Sequence, residues 1–322
     1  MSSYDSDSDS GSPPPPTHLV PSIVNPGKPV TASYTYHSPL PTAPGPYILG
    51  VDEAGRGPVL GPMVYGVAFC PETWKDDLDG LGFADSKTLS HGKRTGLLSI
   101  LSRHSEHMGW SVRVLCPQAI SSGMLRIPPI NLNKQAQEAT VLLIREVLDR
   151  GITLSEVGYL LDAVYVDALG PTKGHEAFLS NLFPGIKFTV EAKADSKYKI
   201  VSAASIAAKV TRDACLEEWV WEEAESLSEA AVWGSNVGSG YPGDPKTKAW
   251  LEASLDKTFG FPGLVRFSWA TIKVILEKEG HPVKWVDEGQ AHLIQAFETG
   301  TGRDKNRCTI ARELGIKSVG SL

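Results

Sequence analysis

Four carboxylate residues stand where predicted strands end, which is unusual for acids with a purely structural role. They are Asp52, Glu53, Asp167 and Asp195. Clustered carboxylates repel one another, and such clusters persist where hard divalent cations with oxygen ligands neutralise them. Two such ions about 4 Å apart could hold the attacking and leaving oxygens of a phosphoryl centre. Each acid alone also has an ordinary explanation: a hairpin tip, a strand-end turn or an ion pair with a lysine.

The first two acids close an apolar run that begins at Tyr47 and leads into the segment Gly55-Arg56-Gly57. Neighbouring side chains of a strand point to opposite faces, so Asp52 and Glu53 can serve one site only if the extended geometry breaks near them. Glycine makes such a break inexpensive because it tolerates backbone angles that other residues avoid. A β-hairpin with a merely polar tip fits this stretch equally well.

The other two acids end a predicted βαβ unit. A β-branched and aromatic run closes on Asp167, a short helix is predicted at 176–182, and the alternating strand 186–195 ends in Asp195. The handedness rule for such units makes the two strands parallel, so both carboxylates are expected at the same edge of the sheet.

Further elements follow from periodicity, capping residues and glycine stops. Strands are predicted at 63–70 and 112–115, and helices at 92–101, 134–150, 202–227, 246–255, 269–280, 288–297 and 309–314. Small residues at the start of the helix from 202 allow a close approach to the sheet. Lys209 and Arg212 share one surface of it, either as a phosphate contact or as an ordinary solvated basic face.

Composition limits the class of protein. The chain has 322 residues and a formal net charge of −6, so nucleic-acid binding would need a local basic patch. The four cysteines form no Cys-x-x-Cys pair, which argues against a zinc site or a disulfide framework and favours an intracellular protein. Because the chain shows no signal peptide and no apolar run of about eighteen residues, we expect neither secretion nor a membrane span.

Taken together, the motifs resemble the type 2 ribonuclease H family. The resemblance spans about residues 47 to 285 and is carried in order by Gly50-Val-Asp52-Glu53-Ala-Gly55-Arg56-Gly57, Asp85-Ser-Lys87, Val166-Asp167, Lys193-Ala-Asp195, the segment 202–213 and Gly238-Ser-Gly-Tyr241-Pro. Phe259-Gly-Phe-Pro and Arg266-Phe-Ser-Trp269 resemble the eukaryotic catalytic subunits in particular.

The resemblance implies an α/β, ribonuclease H-like fold: a mixed β-sheet flanked by helices, with a C-terminal helical extension. It implies hydrolysis of the RNA strand in RNA/DNA hybrids and cleavage 5′ of a single ribonucleotide embedded in duplex DNA. The four acids would bind Mg²⁺ or Mn²⁺, and activated water would leave 5′-phosphate and 3′-hydroxyl ends.

The resemblance also implies roles in substrate binding. A 2′-hydroxyl distinguishes RNA from DNA, and the backbone of Gly55, Arg56 and Gly57 would read it. Tyr241 would stack on the deoxyribose that follows the ribonucleotide, and Lys87 would contact a substrate phosphate. Without the family, Tyr241 would be a packed loop aromatic and Lys87 an ordinary turn lysine.

Partners and cellular role follow only from the resemblance. It implies two accessory protein subunits, nuclear localisation, and roles in removing ribonucleotides and RNA primers during DNA replication. The corresponding domain plan is a disordered tail at 1–45, a catalytic domain at 46–235, a helical extension carrying the tyrosine loop at 236–285, and a C-terminal tail available to partners at 286–322.

One segment departs from the family pattern. The chain is several residues longer between Gly151 and Val164, and this insertion supplies a second aspartate, Asp162. We prefer Asp167 because its context, Val-Asp-Ala-Leu-Gly, fits the family. Two other functions stay open: a catalytically inactive binding protein, which the presence of all four acids disfavours, and another metal-dependent phosphotransferase, which the ribose-reading motifs disfavour.

Overall fold

The computed structural model describes residues 20–83, 89–154, 163–168, 172–224, 233–234 and 236–282. Outside these ranges lie Lys87, Asp162 and the helices predicted at 288–297 and 309–314, so their predictions are not tested.

A mixed sheet forms the centre of the described part. Its strands are β1 (Tyr34–His37), β2 (Tyr47–Ala54), β3 (Met63–Pro71), β4 (Gly109–Leu115), β5 (Val164–Asp167) and β6 (Phe188–Glu191). Their order is β1-β4-β3-β2-β5-β6. The pairs from β1 to β2 are antiparallel, whereas β5 runs parallel to both β2 and β6. The predicted parallel pair of β5 and β6 is therefore confirmed.

Helices cover both faces of the sheet. In chain order they are α1 (Lys75–Gly80), α2 (His91–Arg103), α3 (Pro117–Leu125), α4 (Leu132–Asp149), α5 (Thr172–Leu182), α6 (Ala194–Lys197), α7 (Lys199–Glu217), α8 (Pro245–Ala253) and α9 (Ala270–Glu279). One face packs on α2 and α7, and the other on α4 and α5. A third apolar cluster joins α8 and α9 to the segment after β2. No helix in the described ranges is long and apolar enough to cross a membrane.

The central helix α7 lies unusually close to the sheet. A Cβ atom at Gly50 would stand 2.4 Å from the backbone of Ile200, and one at Gly66 would stand 2.6 Å from the carbonyl oxygen of Ala204. Real Cβ atoms do not approach backbone this closely, so both strand positions require glycine. The predicted close approach of a small-residue helix is confirmed.

The prediction of a disordered segment through residue 45 is wrong from Val20 onward. Strand β1 pairs with β4, and the ring of Tyr36 lies 5.0 Å from that of Trp110. Further upstream, the hydroxyl groups of Ser22 and Thr211 form a 2.6 Å hydrogen bond. The amino-acid composition of this stretch is rich in Pro and Ser, so it did not indicate that a few aromatic and apolar residues pack on the core.

Two predicted elements also end well before the expected residue. Strand β6 stops at Glu191, so Asp195 lies in the first turn of α6 instead of at a strand end. Helix α7 ends at Glu217 instead of about residue 227. After the helix, Trp221 stacks on Trp250 within the third apolar cluster.

Candidate active site

The two adjacent acids both remain inside strand β2, and the backbone break comes after them. Gly55 takes a φ of +78°, and a Cβ atom there would stand 2.7 Å from the carbonyl oxygen of Pro62. Asp52 and Glu53 nevertheless line one cavity of about 700 Å³. This is possible because the strand ends one residue after Glu53, at Ala54. A cavity at the end of the strand can therefore contact side chains from both faces of the strand.

Asp167 joins them through the parallel pairing of β5 with β2. Val51 lies opposite Val166 in this register, so the next residues, Asp52 and Asp167, are side by side. Asp167 lines the same cavity. Its Oδ1 accepts a 2.8 Å hydrogen bond from the backbone N–H of Ala194, which fixes the carboxylate.

Asp195 occupies a different place from the other three acids. It is buried in α6, next to the residue that holds Asp167, and it is not among the side chains that line the cavity. The turn that delivers it passes through Lys193, whose φ of +59° is the one left-handed value among the described non-glycine residues. Three of the four predicted acids thus share the cavity, and a role for Asp195 stays a prediction.

The electrostatics of Asp52 show why the cluster favours a cation. Burial raises the pKa of Asp52 well above its usual range, and the negative charges of Glu53 and Asp167 add to the rise. A hydrogen bond from the Ser205 side chain acts in the opposite direction. A nearby divalent cation would favour the ionised form of all three carboxylates.

The donor set fits a hard cation whose coordination shell is open. Within the described ranges, no three acidic, histidine or cysteine side chains converge as a ready-made metal cage. Mg²⁺ typically takes one or two carboxylates and completes its shell with water and substrate phosphate oxygens. Carboxylates along the wall of an open cavity meet that requirement.

The glycine-rich segment beside the acids is held by two side chains that are distant in sequence. Arg266 donates to the carbonyl oxygens of Gly55 at 2.6 Å and Arg56 at 3.2 Å. Trp269 donates to the carbonyl oxygen of Gly57 at 3.2 Å. The C=O and the following N–H of a trans peptide point in opposite directions, so anchoring these carbonyls turns the intervening N–H groups away from the two side chains.

The Arg56 side chain is also fixed. It donates to the Asn133 side chain and approaches the Tyr65 hydroxyl at 3.5 Å. Arg56 further lines a smaller cavity of about 280 Å³ together with Glu53, Asp167 and His175. Burial lowers the pKa of His175, whose Nε2 atom has no hydrogen-bond partner in the part of the chain that the structure describes.

Tyr241 lines the same cavity as the acids and lies close to the glycine segment. Its side chain is 46% exposed, and a Cβ atom at Gly57 would stand 3.3 Å from its ring. The tyrosine loop is held by Arg212, which donates to the Ser239 carbonyl oxygen at 2.8 Å. The backbone N–H of Gly240 donates to the Thr247 hydroxyl at 3.0 Å.

Lys209 and Arg212 on α7 do not share one role, although the sequence predicted them as a pair. Arg212 is buried and serves the tyrosine loop, so the interpretation as a solvated basic face is wrong for it. Lys209 lines the cavity and donates to Asp213 at 2.6 Å, which leaves a phosphate contact open for this residue alone.

Sequence reasoning assigned no role to several residues that build the site. They are Ser205, Asn133, His175, Arg266 and Trp269. The motif Arg266-Phe-Ser-Trp269 was the only signal for the last two, because their contacts are more than 200 positions away in the chain.

Comparisons with known proteins identify the family of this chain. The family described as Ribonuclease HII matches residues 49–272. A ribonuclease H2 subunit from Mus musculus is 45% identical over 296 residues, which covers 88% of this chain and 94% of the relative. The corresponding protein from Arabidopsis thaliana is 43% identical, with 85% of this chain and 86% of the relative covered.

A solved structure supports the fold. The crystal structure of the ribonuclease H2 from Pyrococcus horikoshii OT3 is similar with a TM-score of 0.54 at 34% identity, covering 72% of this chain and 98% of that chain. The predicted ribonuclease H-like α/β fold is thereby confirmed. On the sequence and structural similarities together, this chain belongs to the ribonuclease HII family.

Proposed function

We propose that this ribonuclease H hydrolyses the RNA strand of RNA/DNA hybrids and cuts 5′ of a single ribonucleotide embedded in duplex DNA, leaving 5′-phosphate and 3′-hydroxyl ends. One observation carries the proposal. Asp52, Glu53 and Asp167 line the same cavity as the segment Gly55-Arg56-Gly57 and Tyr241. Carboxylates suited to phosphoryl chemistry therefore face groups suited to recognising one nucleotide.

Recognition of the ribose rests on the anchored glycine segment. Because Arg266 and Trp269 occupy the carbonyl oxygens of this segment, its amide groups are oriented before substrate arrives. A 2′-hydroxyl can both donate and accept hydrogen bonds, and only RNA presents one. Tyr241, which lies against Gly57, is placed to pack on the neighbouring sugar.

Hydrolysis rests on the carboxylates. Asp52, Glu53 and Asp167 would hold divalent cations, Mg²⁺ or Mn²⁺, which when bound supply activated water and stabilise the charge on the leaving oxygen. The Ala194 N–H keeps Asp167 oriented toward the cavity, and Ser205 keeps Asp52 in place. Asp195, which follows the Ala194 that holds Asp167, is proposed as the fourth ligand.

The same proposal extends to partners and cellular role. The relatives are named as subunits of ribonuclease H2, which supports work with accessory proteins, and we propose two of them. Removal of ribonucleotides and RNA primers during DNA replication, in the nucleus, completes the proposed role.

The experiment compares three labelled duplexes: an RNA/DNA hybrid, a DNA duplex with one ribonucleotide, and an all-DNA duplex. Each is incubated with Mg²⁺ or with chelator, using the chain alone and the chain co-expressed with its accessory proteins, and the cut positions are mapped. The proposal expects cuts in the first two only, with Mg²⁺ only, and 5′ of the single ribonucleotide. Absence of any cut in both preparations would favour an inactive binding protein instead.

A further inference from the structure

The last residue of α3 and the connection that leads to α4 form an exposed apolar tip. Leu125 is 61% exposed and Ile127 is 95% exposed, and Pro128 and Pro129 after them are exposed as well. Single exposed apolar residues are normal on protein surfaces and need no explanation. Here four lie within five consecutive positions, so we call residues 125–129 the apolar tip and ask what lies beside it.

Both ends of the apolar tip lie on the wall of the candidate active site. Met124 precedes it and Leu132 follows it, and both line the cavity that contains the three carboxylates. The next residue, Asn133, accepts a hydrogen bond from Arg56 of the glycine segment. The tip therefore rises from the rim of the cavity.

The base of the apolar tip is fixed. The N–H of Ile130 donates to the carbonyl oxygen of Gly123 at 2.8 Å and closes the connection. The side-chain amide of Gln135 donates to the carbonyl oxygens of Ile120 at 3.4 Å and Ile130 at 3.0 Å. A held loop can present apolar side chains without losing much conformational entropy on binding.

Charge around the apolar tip suits a polyanion. The stretch 124–134 contains Arg126 and Lys134 and no acidic residue. Lys134 pairs with Glu138 of α4 at 3.7 Å, so Arg126 supplies the positive charge beside the tip. Arg126 is exposed next to Ile127. A protein-binding patch of the same size would not need this bias, whereas a nucleic-acid backbone favours it.

We propose that the apolar tip contacts the minor groove of the duplex substrate beside the cut site. This inference rests on the proposed function. The 2′-hydroxyl lies in the minor groove, so a surface that reads it must face that groove, and the tip on the same rim faces the next part of it. Proteins that bind the minor groove frequently insert apolar side chains such as Leu, Ile and Pro between base steps.

The test uses the full chain with its accessory proteins and the double variant Leu125→Ser/Ile127→Ser. The matched control is Val24→Ser/Leu40→Ser, two residues that are 43% and 40% exposed and do not line the cavity. Binding to a duplex with one ribonucleotide is measured by fluorescence anisotropy in chelator, and cleavage is measured with Mg²⁺. We expect Kd and KM to rise about tenfold in the tip variant, with kcat and thermal stability unchanged.

A photo-crosslinking residue at position 127 gives an independent readout. The proposal expects crosslinks to the nucleic acid near the ribonucleotide. Wild-type affinity in the double variant, or crosslinks only to an accessory protein, would overturn it. If the wild type binds the duplex without cutting it, the proposed function fails, while the binding comparison and the crosslink still decide the role of the tip.

Discussion

Arg266 donates a 2.6 Å hydrogen bond to the carbonyl oxygen of Gly55 across 211 positions of sequence. The arginine is fully buried, and its guanidinium group lies 4.8 Å from the centre of the Trp269 ring. Burial lowers the pKa of Arg266 to about 9. A buried charge is costly unless hydrogen bonds compensate it, and the three carbonyl oxygens of Gly55, Arg56 and Gly61 provide that compensation.

Replacement of this arginine tests the support of the glycine segment. Arg266→Lys removes the planar fork that reaches several carbonyls at once, so we expect a loss of about 2 kcal/mol in the free energy of unfolding. Cleavage at a single ribonucleotide should fall about tenfold or more because the segment loses its fixed orientation. Urea unfolding and steady-state kinetics measure the two effects. The same change at exposed Arg103 serves as control, and an unaltered Arg266→Lys enzyme would contradict this view of the segment.

Packing between Gly57 and Tyr241 can be tested by adding one methyl group. A Cβ atom at Gly57 would stand 3.3 Å from the Tyr241 ring, so Gly57→Ala should displace the tyrosine and lower cleavage of the embedded ribonucleotide about tenfold. The control is Gly96→Ala in α2, where a Cβ atom meets nothing within 4 Å and helix propensity should improve. Equal activity of the two variants would show that the close contact has no functional role.

Removal of the Tyr241 ring should affect cleavage of the two substrates to different extents. Tyr241→Ala is expected to lower cleavage of DNA with one ribonucleotide about tenfold or more, because stacking of an aromatic ring on one nucleotide unit is lost. Continuous RNA/DNA hybrids offer many registers and should suffer less. Tyr241→Phe keeps the ring and should retain most activity. Equal losses on both substrates would argue against a role at the junction.

The carboxylate cluster predicts an unusual dependence of stability on pH. Without metal, Asp52 has a pKa raised above its ordinary value of 3.8, chiefly by burial. Its contribution to stability is therefore fullest when it is protonated and falls as pH rises from about 4 through the raised pKa. Asp52→Asn should consequently raise the melting temperature of the metal-free protein at neutral pH, and the gain should shrink in acid.

Added Mg²⁺ provides the second half of that test. The cation should raise the melting temperature of the wild type by mass action and act more weakly on Asp52→Asn. Differential scanning fluorimetry across pH, with Mg²⁺ or chelator, measures both effects. If the melting temperatures of the two proteins were the same at every pH and Mg²⁺ concentration, the Asp52 charge would not destabilise the fold and Asp52 would bind no cation.

Site residues that lie in local sequence motifs could be predicted, whereas residues whose contacts are distant in sequence could not. The placement of Asp52 and Asp167 in one cavity could be predicted because each acid lies at or near the end of a strand and in a recognisable motif. Arg266 could not be assigned, since its partners are distant in sequence and no spacing rule relates them. Asp195 was expected at a strand end, and the left-handed turn at Lys193 that carries it into α6 has no glycine to signal it.

The fold, too, has elements that local sequence patterns predict and elements that they do not. The parallel pairing of β5 with β6 follows from the length of a βαβ unit, and the close approach of α7 follows from its small residues. Strand β1, Tyr34–His37, was missed because it has only four residues and follows a Pro- and Ser-rich stretch. Its pairing with β4 depends on long-range packing, which average composition does not report.

The most direct test of the central proposal is the rate and position of cleavage of a DNA duplex with one ribonucleotide, measured for the wild type and Asp167→Asn. We predict a Mg²⁺-dependent cut 5′ of the ribonucleotide for the wild type. The variant should lose about a thousandfold in rate, with duplex affinity within about threefold of the wild type. A variant that still cuts, or a wild-type cut elsewhere in the duplex, would contradict the proposal that this cavity both reads the ribose and hydrolyses the strand.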